Sequence, residues 1–218
     1  MRIGLLISRL DRGFHRTAWL SVTETARRHG VDAICFDGGV LAPDDELARK
    51  SNALYDLISA ETMNGLLVWS SCLDWSVQPG AMQAFCERFR PLPLVSIGRA
   101  LAGFPSVLVD NYQGMREAVR HLIEAHGYRR IAFLRGPVGN HEEVLRYRGY
   151  ADVLHEYGIP LDPLLISTHT NWERSDGTAM VRLLVDERGL RPGRDFQALV
   201  SVGDDMACGA MEASEITV

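Results

Sequence analysis

The sequence predicts an α/β protein made of two doubly wound lobes, each built around a parallel sheet. Three observations lead to this fold class. Short apolar runs alternate with longer segments whose apolar residues recur at helical spacing. Turn residues, such as those of Asp37-Gly38-Gly39, separate the two kinds of segment. The alternation restarts after residue 130, which predicts a second lobe with its own core.

In the first lobe, each predicted strand is followed by a helix. Residues 2–7 are apolar and bounded by polar residues, as in a buried strand. Residues 14–29 have helical periodicity and end at Gly30, a suitable helix C-cap. The pattern repeats, with strands predicted at 31–36, 65–70 and 94–98 and helices at 44–59 and 80–89. Since crossovers between parallel strands share one hand, this order predicts an open, doubly wound sheet.

The helix predicted at 44–59 should open at Asp44 or Asp45. Its apolar residues predict a buried face made of Leu47, Leu54, Leu57 and Ile58.

The second lobe repeats the alternation after a connecting segment. Residues 106–110 form a short apolar run, and Asp110 or Asn111 can cap the helix that ends at Gly127. Further strands are predicted at 131–134, 164–167 and 196–202, and helices at 142–157, at 174–187 and from Asp204. We therefore expect an N-terminal lobe at 1–129 and a C-terminal lobe at 130–218.

Composition limits the classes of function. The net charge is −5, with 23 basic and 28 acidic residues, so the basic excess usual in nucleic-acid binders is missing. No apolar run approaches the roughly 18 residues of a membrane-spanning helix. The apolar run after Arg2 already ends at Ser8, which does not resemble a signal peptide. These features predict a cytoplasmic protein that does not associate with membranes.

The chemistry-bearing residues do not form the pattern of a known enzyme or metal site. The four cysteines lack CxxC spacing, which predicts reduced thiols rather than disulfides or a zinc site. The histidines lack HExxH spacing, and the loop at 136–139 matches neither GxxxxGK[ST] nor GxGxxG. We expect no catalytic residues, no metal and no cofactor.

Several segments resemble one family. They extend from RIGLLISRLDRGF (2–14) through RYRGY (146–150) to SVGDDMACGAMEA (201–213), and residues 107–150 between them carry the strongest likeness. The sequence resembles the LacI/GalR-type repressors, whose effector-binding domain is periplasmic-binding-protein-like, of type I. The resemblance implies a homodimer that closes around a small-molecule effector in an inter-lobe cleft. It also implies that DNA is bound only through a headpiece absent from this chain, and that the C-terminal lobe is truncated relative to the family.

The resemblance assigns ligand contacts to three residues of the second lobe. Arg146 matches an effector-contacting arginine, and the alternative is a surface ion pair with Glu142 or Glu143. Trp172 matches an aromatic residue that faces the ligand, and the alternative is a loop anchor. Asp204 matches the aspartate of an Asn-Asp pair, and the alternative is a helix cap. Gly203 replaces the usual asparagine and leaves the ligand class open.

Further candidates lie on loops after predicted strands. Such loops converge at the carboxyl edge of a parallel sheet, where ligands bind. The candidate ligand-binding residues are Ser8, Asp11, Phe14, Ser70, Ser71 and Asn140.

These features predict the effector-sensing domain of a LacI-type transcriptional regulator, with a sugar-like effector. Three alternatives stay open at this point. The first is the input domain of a signalling enzyme, such as a histidine kinase or diguanylate cyclase. The second is a solute-binding protein of a transporter, and the third is a nucleotide-dependent enzyme on a doubly wound fold, which lacks a phosphate-binding fingerprint here.

Overall fold

The computed structural model describes residues 1–11, 13–41, 46–73 and 80–214. The chain forms two compact units, Met1–Val109 and Asp110–Val218. This division lies one helix before the break predicted at residues 129–130. The reason is that the helix Asn111–His126 packs against the helix His141–Glu156 of the second unit.

The first unit is a five-stranded parallel sheet with helices between the strands. Its elements are β1 (Arg2–Ile7), α1 (Gly13–Arg28), β2 (Asp32–Asp37), α2 (Glu46–Asn52), β3 (Gly65–Val68), α3 (Ser70–Leu73), α4 (Ala81–Glu87), β4 (Leu94–Ile97) and β5 (Ser106–Val107). The strand order is β2-β1-β3-β4-β5, and every neighbouring pair is parallel. The predicted parallel α/β fold is therefore confirmed for this unit.

The strand order sets the place of a ligand site in this unit. The chain moves outward from β1 to β2 and then returns to the other side of β1 for β3. This reversal makes the carboxyl ends of β1 and β3 a topological switch point, where loops diverge and leave a crevice. The core beneath it is apolar, with Leu6 and Val68 fully buried in adjacent strands.

One predicted helix in this unit was partly wrong. Residues 44 and 45 lie outside the described residues, and α2 gives way at Ala53 to a 3₁₀ helix, Ala53–Leu57. Leu47 and Leu57, predicted to be buried, are 73% and 64% exposed, whereas Tyr55 is fully buried. From Ala53 onward, the tighter 3₁₀ turn rotates the side chains of Tyr55 and Leu57 away from the helical period used in the prediction. Leu47 lies in α2 itself, on an exposed face. The Tyr55 hydroxyl then donates to the carbonyl oxygens of Ile7 and Gly39.

The second unit contains two helix pairs and a small parallel sheet. Its elements are α5 (Asn111–His126), β6 (Ile131–Leu134), α6 (His141–Glu156), α7 (Arg174–Arg182), β7 (Ala198–Ser201) and α8 (Asp204–Ser214). The pair β6-β7 is parallel, and β6 is buried along its whole length. α7 continues as a π-helical turn, Leu183–Glu187.

The strand predicted at 164–167 was wrong. Residues Pro163–Leu165 form a 3₁₀ helix, and only Ile166 bridges to Phe133 in β6. Asp162 caps this turn by accepting a hydrogen bond from the backbone of Leu164 at 2.9 Å. A local cap and a proline at the first position therefore override the apolar pattern.

Glycines bring the helices of the second unit into close contact. A Cβ atom on Gly177 of α7 would lie 1.9 Å from the carbonyl oxygen of Met206. One on Gly209 of α8 would lie 1.8 Å from that of Arg174. Because real Cβ atoms never approach so closely, only glycine permits this packing of α7 on α8. In the described part of the chain, no helix combines the length and apolar character needed to span a bilayer.

Candidate ligand site at the strand ends

In the second unit, three loops meet at the carboxyl edge of the sheet. They follow β6 at Leu134, the bridge residue Ile166, and β7 at Ser201. Cross-contacts hold the loops together: the Ser167 hydroxyl accepts from the backbone of Arg135 at 2.8 Å, and the Thr170 hydroxyl donates to the Arg135 carbonyl at 3.0 Å. This edge carries four of the predicted site residues.

Arg146 extends from α6 to this edge. Its Nε donates to Asn111 Oδ1 at 2.7 Å, and its Nη1 donates to the carbonyl oxygen of Val202 at the end of β7. Its Nη2 lies 3.5 Å from Glu142. The ion pair of the alternative interpretation therefore exists, but the two other contacts hold the guanidinium at the strand end rather than on an outer helix face. A fixed fork with unused N–H groups suits recognition of hydroxyls.

Trp172 lies beside Arg146 and against two glycines. The guanidinium carbon lies 5.6 Å from the indole centroid, within the range of a cation–π contact. A Cβ on Gly203 would lie 3.3 Å from the indole, and one on Gly136 would lie 3.5 Å from it. The glycine that replaces the family's usual asparagine therefore makes room for the indole. A half-buried ring supported in this way is fixed and still has an accessible part.

Asp204 and Asn140 differ in whether their side chains already form hydrogen bonds within the unit. Asp204 starts α8, is exposed, and accepts no hydrogen bond from the described residues. The alternative of a helix cap is therefore not seen for Asp204. Asn140 is buried, and its Oδ1 caps α6 by accepting from the backbone of Glu142 and Glu143. Its amide oxygen has a structural role.

A buried ion pair lies under this edge and was not predicted from the sequence. Glu143 is fully buried and pairs with Arg135, which is mostly buried. The Arg135 guanidinium also lies 3.7 Å above the ring of Tyr147. His169 Nδ1 lies 2.9 Å from the Gly136 carbonyl oxygen and 3.9 Å from Glu143. The adjacent glutamates on α6 gave no signal that one is buried, since burial depends on the loops packed around it.

In the first unit, an aromatic group occupies the switch point. Phe14, predicted as a ligand contact, is 70% exposed near the start of α1. Its ring meets Trp69, which follows β3, edge-on at 5.4 Å, and His15 lies 5.5 Å from the same indole. His15 and Trp69 were not predicted from the sequence. Trp69 lies near the carboxyl end of the strand predicted at 65–70, and that position was the available signal.

The other candidates of this unit are less available. Ser8 is buried and donates to the Cys72 carbonyl oxygen at 2.8 Å. Ser70 is buried and bonds to Ser96 and to the Ile97 carbonyl oxygen. Their ligand-binding role stays a prediction that this geometry does not favour. Asp11 is exposed and Ser71 half-buried, so both side chains can reach solvent.

The loop after β1 is held in an uncommon conformation. Arg9 has a φ of 59°, in the left-handed region that non-glycine residues seldom adopt. Asp37, at the end of β2, accepts hydrogen bonds from the backbone of Arg9 and Leu10, both at 3.0 Å. This bidentate clamp fixes the loop that leads to Phe14. Strained loops that are held in this way occur often at ligand sites.

A concavity in the first unit lies at the opposite end of the sheet from Phe14 and Trp69. A groove of about 410 Å³ is lined by Met1, Ile3 and Val31 at the amino ends of strands, and by Val22 and Ala26 of α1. It contains none of the predicted site residues. The described residues also contain no cluster of three or more side chains able to hold a metal ion.

Comparison with known proteins agrees with this architecture. The family described as "Periplasmic binding proteins and sugar binding domain of LacI family" matches residues 1–217. The regulator AscG of Escherichia coli is 41% identical over 108 residues, half of this chain and 30% of its own length. The repressor PurR of Klebsiella pneumoniae is 28% identical over 191 residues, 85% of this chain and 52% of its own length.

Two solved structures above 25% identity show the same fold. The crystal structure of AscG has a TM-score of 0.72 and 26% identity, and covers 99% of this chain and 73% of its own. A sugar-binding LacI-family regulator from Escherichia coli, in complex with phosphate, has the same TM-score and identity and covers 98% and 72%. This chain spans about a third to three fifths of the curated relatives that it matches.

Proposed function

Since the chain belongs to the family of periplasmic binding proteins and LacI-type sugar-binding domains, we propose that it senses a small-molecule effector for a transcriptional regulator. The relatives AscG and PurR are transcriptional regulators, not enzymes, and the proposal extends their kind of output to the protein that contains this chain. The same proposal includes a cytoplasmic location, a homodimer, a role without catalysis, and DNA contact through a separate headpiece.

The arrangement of Arg146, Trp172 and Asp204 is the observation that carries this proposal. A guanidinium can donate to ring or hydroxyl oxygens, an exposed carboxylate can accept from hydroxyl groups, and an indole can cover the C–H face of a sugar. The three groups belong to one strand edge, and Gly203, which leaves room for the Trp172 indole, directly precedes Asp204. Their combination suits a sugar-like effector.

The first unit contributes an apolar surface to the proposal. Phe14 and Trp69 lie at a switch point of the sheet, where ligands bind in open α/β folds. We propose that this apolar surface also contacts the effector. Effector binding would then select one conformation of the chain and transmit the signal by a shift in population.

The alternatives have less support. The relatives reported above are transcriptional regulators, so an input domain of a signalling enzyme is not favoured. The same relatives give no support to a transporter's solute-binding protein or to a nucleotide-dependent enzyme.

A thermal-shift panel of sugars, nucleobases and amino acids tests the proposal. A ligand present at about 100 times its Kd should stabilise the chain by about 2.7 kcal/mol. For that ligand, Arg146→Ala should weaken binding by about 2–3 kcal/mol, because charge-assisted hydrogen bonds are lost. Calorimetric titration measures the loss.

Arg148→Ala is the matched control. Arg148 lies on the same helix, is 69% exposed, and pairs with Asp152 at 3.5 Å. The Arg148→Ala variant should bind the ligand with the same affinity as the unchanged chain. Equal losses in the two variants, or no stabilisation by any member of the panel, would contradict the proposal.

A further inference from the structure

Each labelled helix of the second unit has a carboxylate at its N-cap or in its first turn. Asp110 caps α5 by accepting from the backbone of Gln113 at 2.9 Å, and Asp176 of α7 accepts from the backbone of Glu173 at 2.9 Å. α6 has two glutamates in its first turn, Glu142 and Glu143, and α8 has two aspartates, Asp204 and Asp205. A helix N-terminus attracts anions through its dipole and unpaired N–H groups. At each of these N-termini a carboxylate of the chain therefore opposes the approach of a further anion, whether or not it caps the helix itself.

The two arginines at the same strand edge are neutralised as well. Arg135 is paired with the buried Glu143, and its guanidinium is stacked on Tyr147. Arg146 lies 3.5 Å from Glu142 and directs two other nitrogens to Asn111 and Val202. Neither guanidinium therefore keeps a positive charge that lacks a counter-charge of the same unit.

The exposed aspartates add negative charge that these arginines do not balance. Asp204 is exposed and has no hydrogen-bond partner among the described residues. It lies two residues after Val202, whose carbonyl oxygen binds Arg146, so backbone geometry keeps its Cα within about 7 Å of that of Val202. Arg174 interacts electrostatically with Asp205 and is itself paired with Glu212. With this pair included, the edge carries three positive charges (Arg135, Arg146, Arg174) and five negative ones (Glu142, Glu143, Asp204, Asp205, Glu212).

We propose that this site selects uncharged, hydroxylated ligands and rejects their phosphorylated or carboxylated forms; this inference depends on the proposed function. A neutral ligand can accept hydrogen bonds from the remaining N–H groups of Arg146 without being repelled by the carboxylates. A phosphate would approach Asp204 and Asp205 without an unpaired cation to receive it, and juxtaposed like charges oppose binding. Weak binding of anionic ligands therefore depends on the pairing of the arginines as much as on the exposed aspartates.

Calorimetry on the full chain with matched pairs of sugars tests the selectivity. The probes are D-glucose, D-galactose, D-allose and cellobiose, each with its 6-phosphate. We expect the neutral member of any pair that binds to do so at least about ten-fold more tightly, from the like-charge repulsion. Equal or tighter binding of a phosphorylated member overturns the inference and leaves the proposed function intact. Failure of both members of all pairs counts against the proposed sugar effector itself.

Inorganic phosphate gives a test that does not need the effector. We would follow the Trp172 indole N–H and the Arg146 Nε–H by NMR, with Trp172→Phe and Arg146→Lys identifying the two signals. No saturable shift is expected with phosphate up to about 10 mM, since the local charge is repulsive. Saturable binding at both signals overturns the inference, whatever the sugar panel shows.

Removing single charges should relax the rejection. Glu142→Gln leaves Arg146 without its counter-charge, and Asp204→Asn removes the exposed carboxylate. Each should strengthen binding of phosphate or a sugar phosphate by about five-fold, the scale of one screened charge at close range. Glu117→Gln is the control, because Glu117 lies on α5 and bonds to Gln113 instead of this edge. Unchanged affinity for the anion in both site variants would overturn the inference.

Discussion

The two units present different chemistry at the carboxyl ends of their strands. The first unit offers exposed Phe14 beside Trp69, while the hydroxyls of Ser8 and Ser70 are already used inside the unit. The second unit offers a fixed guanidinium beside an indole, and an exposed carboxylate at the start of the helix that follows β7. An aromatic surface provides area with little directional preference, whereas fixed donors and acceptors discriminate between ligands. We infer that the first unit contributes affinity and the second contributes specificity.

The largest effect is expected from a substitution that destabilises the second unit and leaves the stability of the first unchanged. Gly177→Ala inserts a methyl group 1.9 Å from the Met206 carbonyl oxygen, so α7 and α8 must separate. We expect a loss of about 4 kcal/mol or more in the stability of that unit, at the upper end for single substitutions. Urea unfolding followed by hydrogen exchange should show early loss of protection confined to residues 110–214.

Gly114→Ala is the control for this substitution. Gly114 lies inside α5 and a Cβ there would meet nothing within 4 Å. Alanine should stabilise the helix by about 0.5–1 kcal/mol. If Gly177→Ala were equally harmless, the close packing of α7 on α8 would be wrong.

A smaller effect is expected from a substitution that displaces the Trp172 indole from its position beside Gly203. Gly203→Asn restores the residue usual in the family, but its Cβ would lie 3.3 Å from Trp172 before the amide is added. We expect displacement of the indole and a loss of about 1–2 kcal/mol in stability from overpacking. The measurement is the tryptophan emission spectrum minus that of Trp172→Phe, which should shift to longer wavelength.

Two outcomes of that measurement sharpen the comparison. If the effector binds the Gly203→Asn variant more weakly, the position of Trp172 determines specificity in the second unit. An unchanged spectrum and an unchanged stability would show that the indole does not rest on Gly203.

Phe14→Ala should lower effector affinity without lowering stability. Because the side chain is 70% exposed, its removal should change the free energy of unfolding by less than about 0.5 kcal/mol. Lost contact with the ligand should cost about 1 kcal/mol of binding, measured by calorimetry. Leu20→Ala, also on α1 and 56% exposed, should change neither quantity. If the Phe14→Ala variant bound the effector as tightly as the unchanged chain, Phe14 would not contact the effector.

The smallest effect concerns the thiols. Burial raises the pKa of Cys86 in the first unit to about 12, and that of Cys35 to about 11. At pH 8 both thiols stay protonated and should react slowly with a disulfide reagent, since the thiolate is the nucleophile. Cys208 in the second unit is exposed and should react first. Cys86 should gain reactivity only as the pH rises toward 12, and rapid reaction of Cys86 at pH 8 would contradict its burial.

Much of the fold could be predicted from local patterns. β1, α1, α5 and α6 were predicted within one or two residues, because apolar periodicity and local signals such as the Asp110 cap and the terminal glycines act over a few residues. The segment at 164–167 failed because its cap and proline outweighed its apolar character. The face of the helix at 44–59 failed because a change of helix type is not visible in periodicity.

The candidate site shows the same limit at the level of side chains. Its three leading residues came from the resemblance to a family, and Phe14 came from its place after a strand. The state of each group did not: Ser8 and Ser70 proved to be buried and bonded, and the pairing of Arg146 with Asn111 joins residues that are far apart in sequence. Sequence order does not specify which distant polar atoms meet, because that depends on packing.

The sequence by itself determined the alternation of strands and helices, the overall charge, and the residues available at the strand ends. Only the tertiary structure decided that Glu143 is buried against Arg135, that Gly203 and Gly136 hold an indole, and that α5 belongs to the second unit. The physical reason is that hydrogen bonding and hydrophobic periodicity act over a few residues, whereas burial and charge pairing depend on contacts between elements distant in the chain.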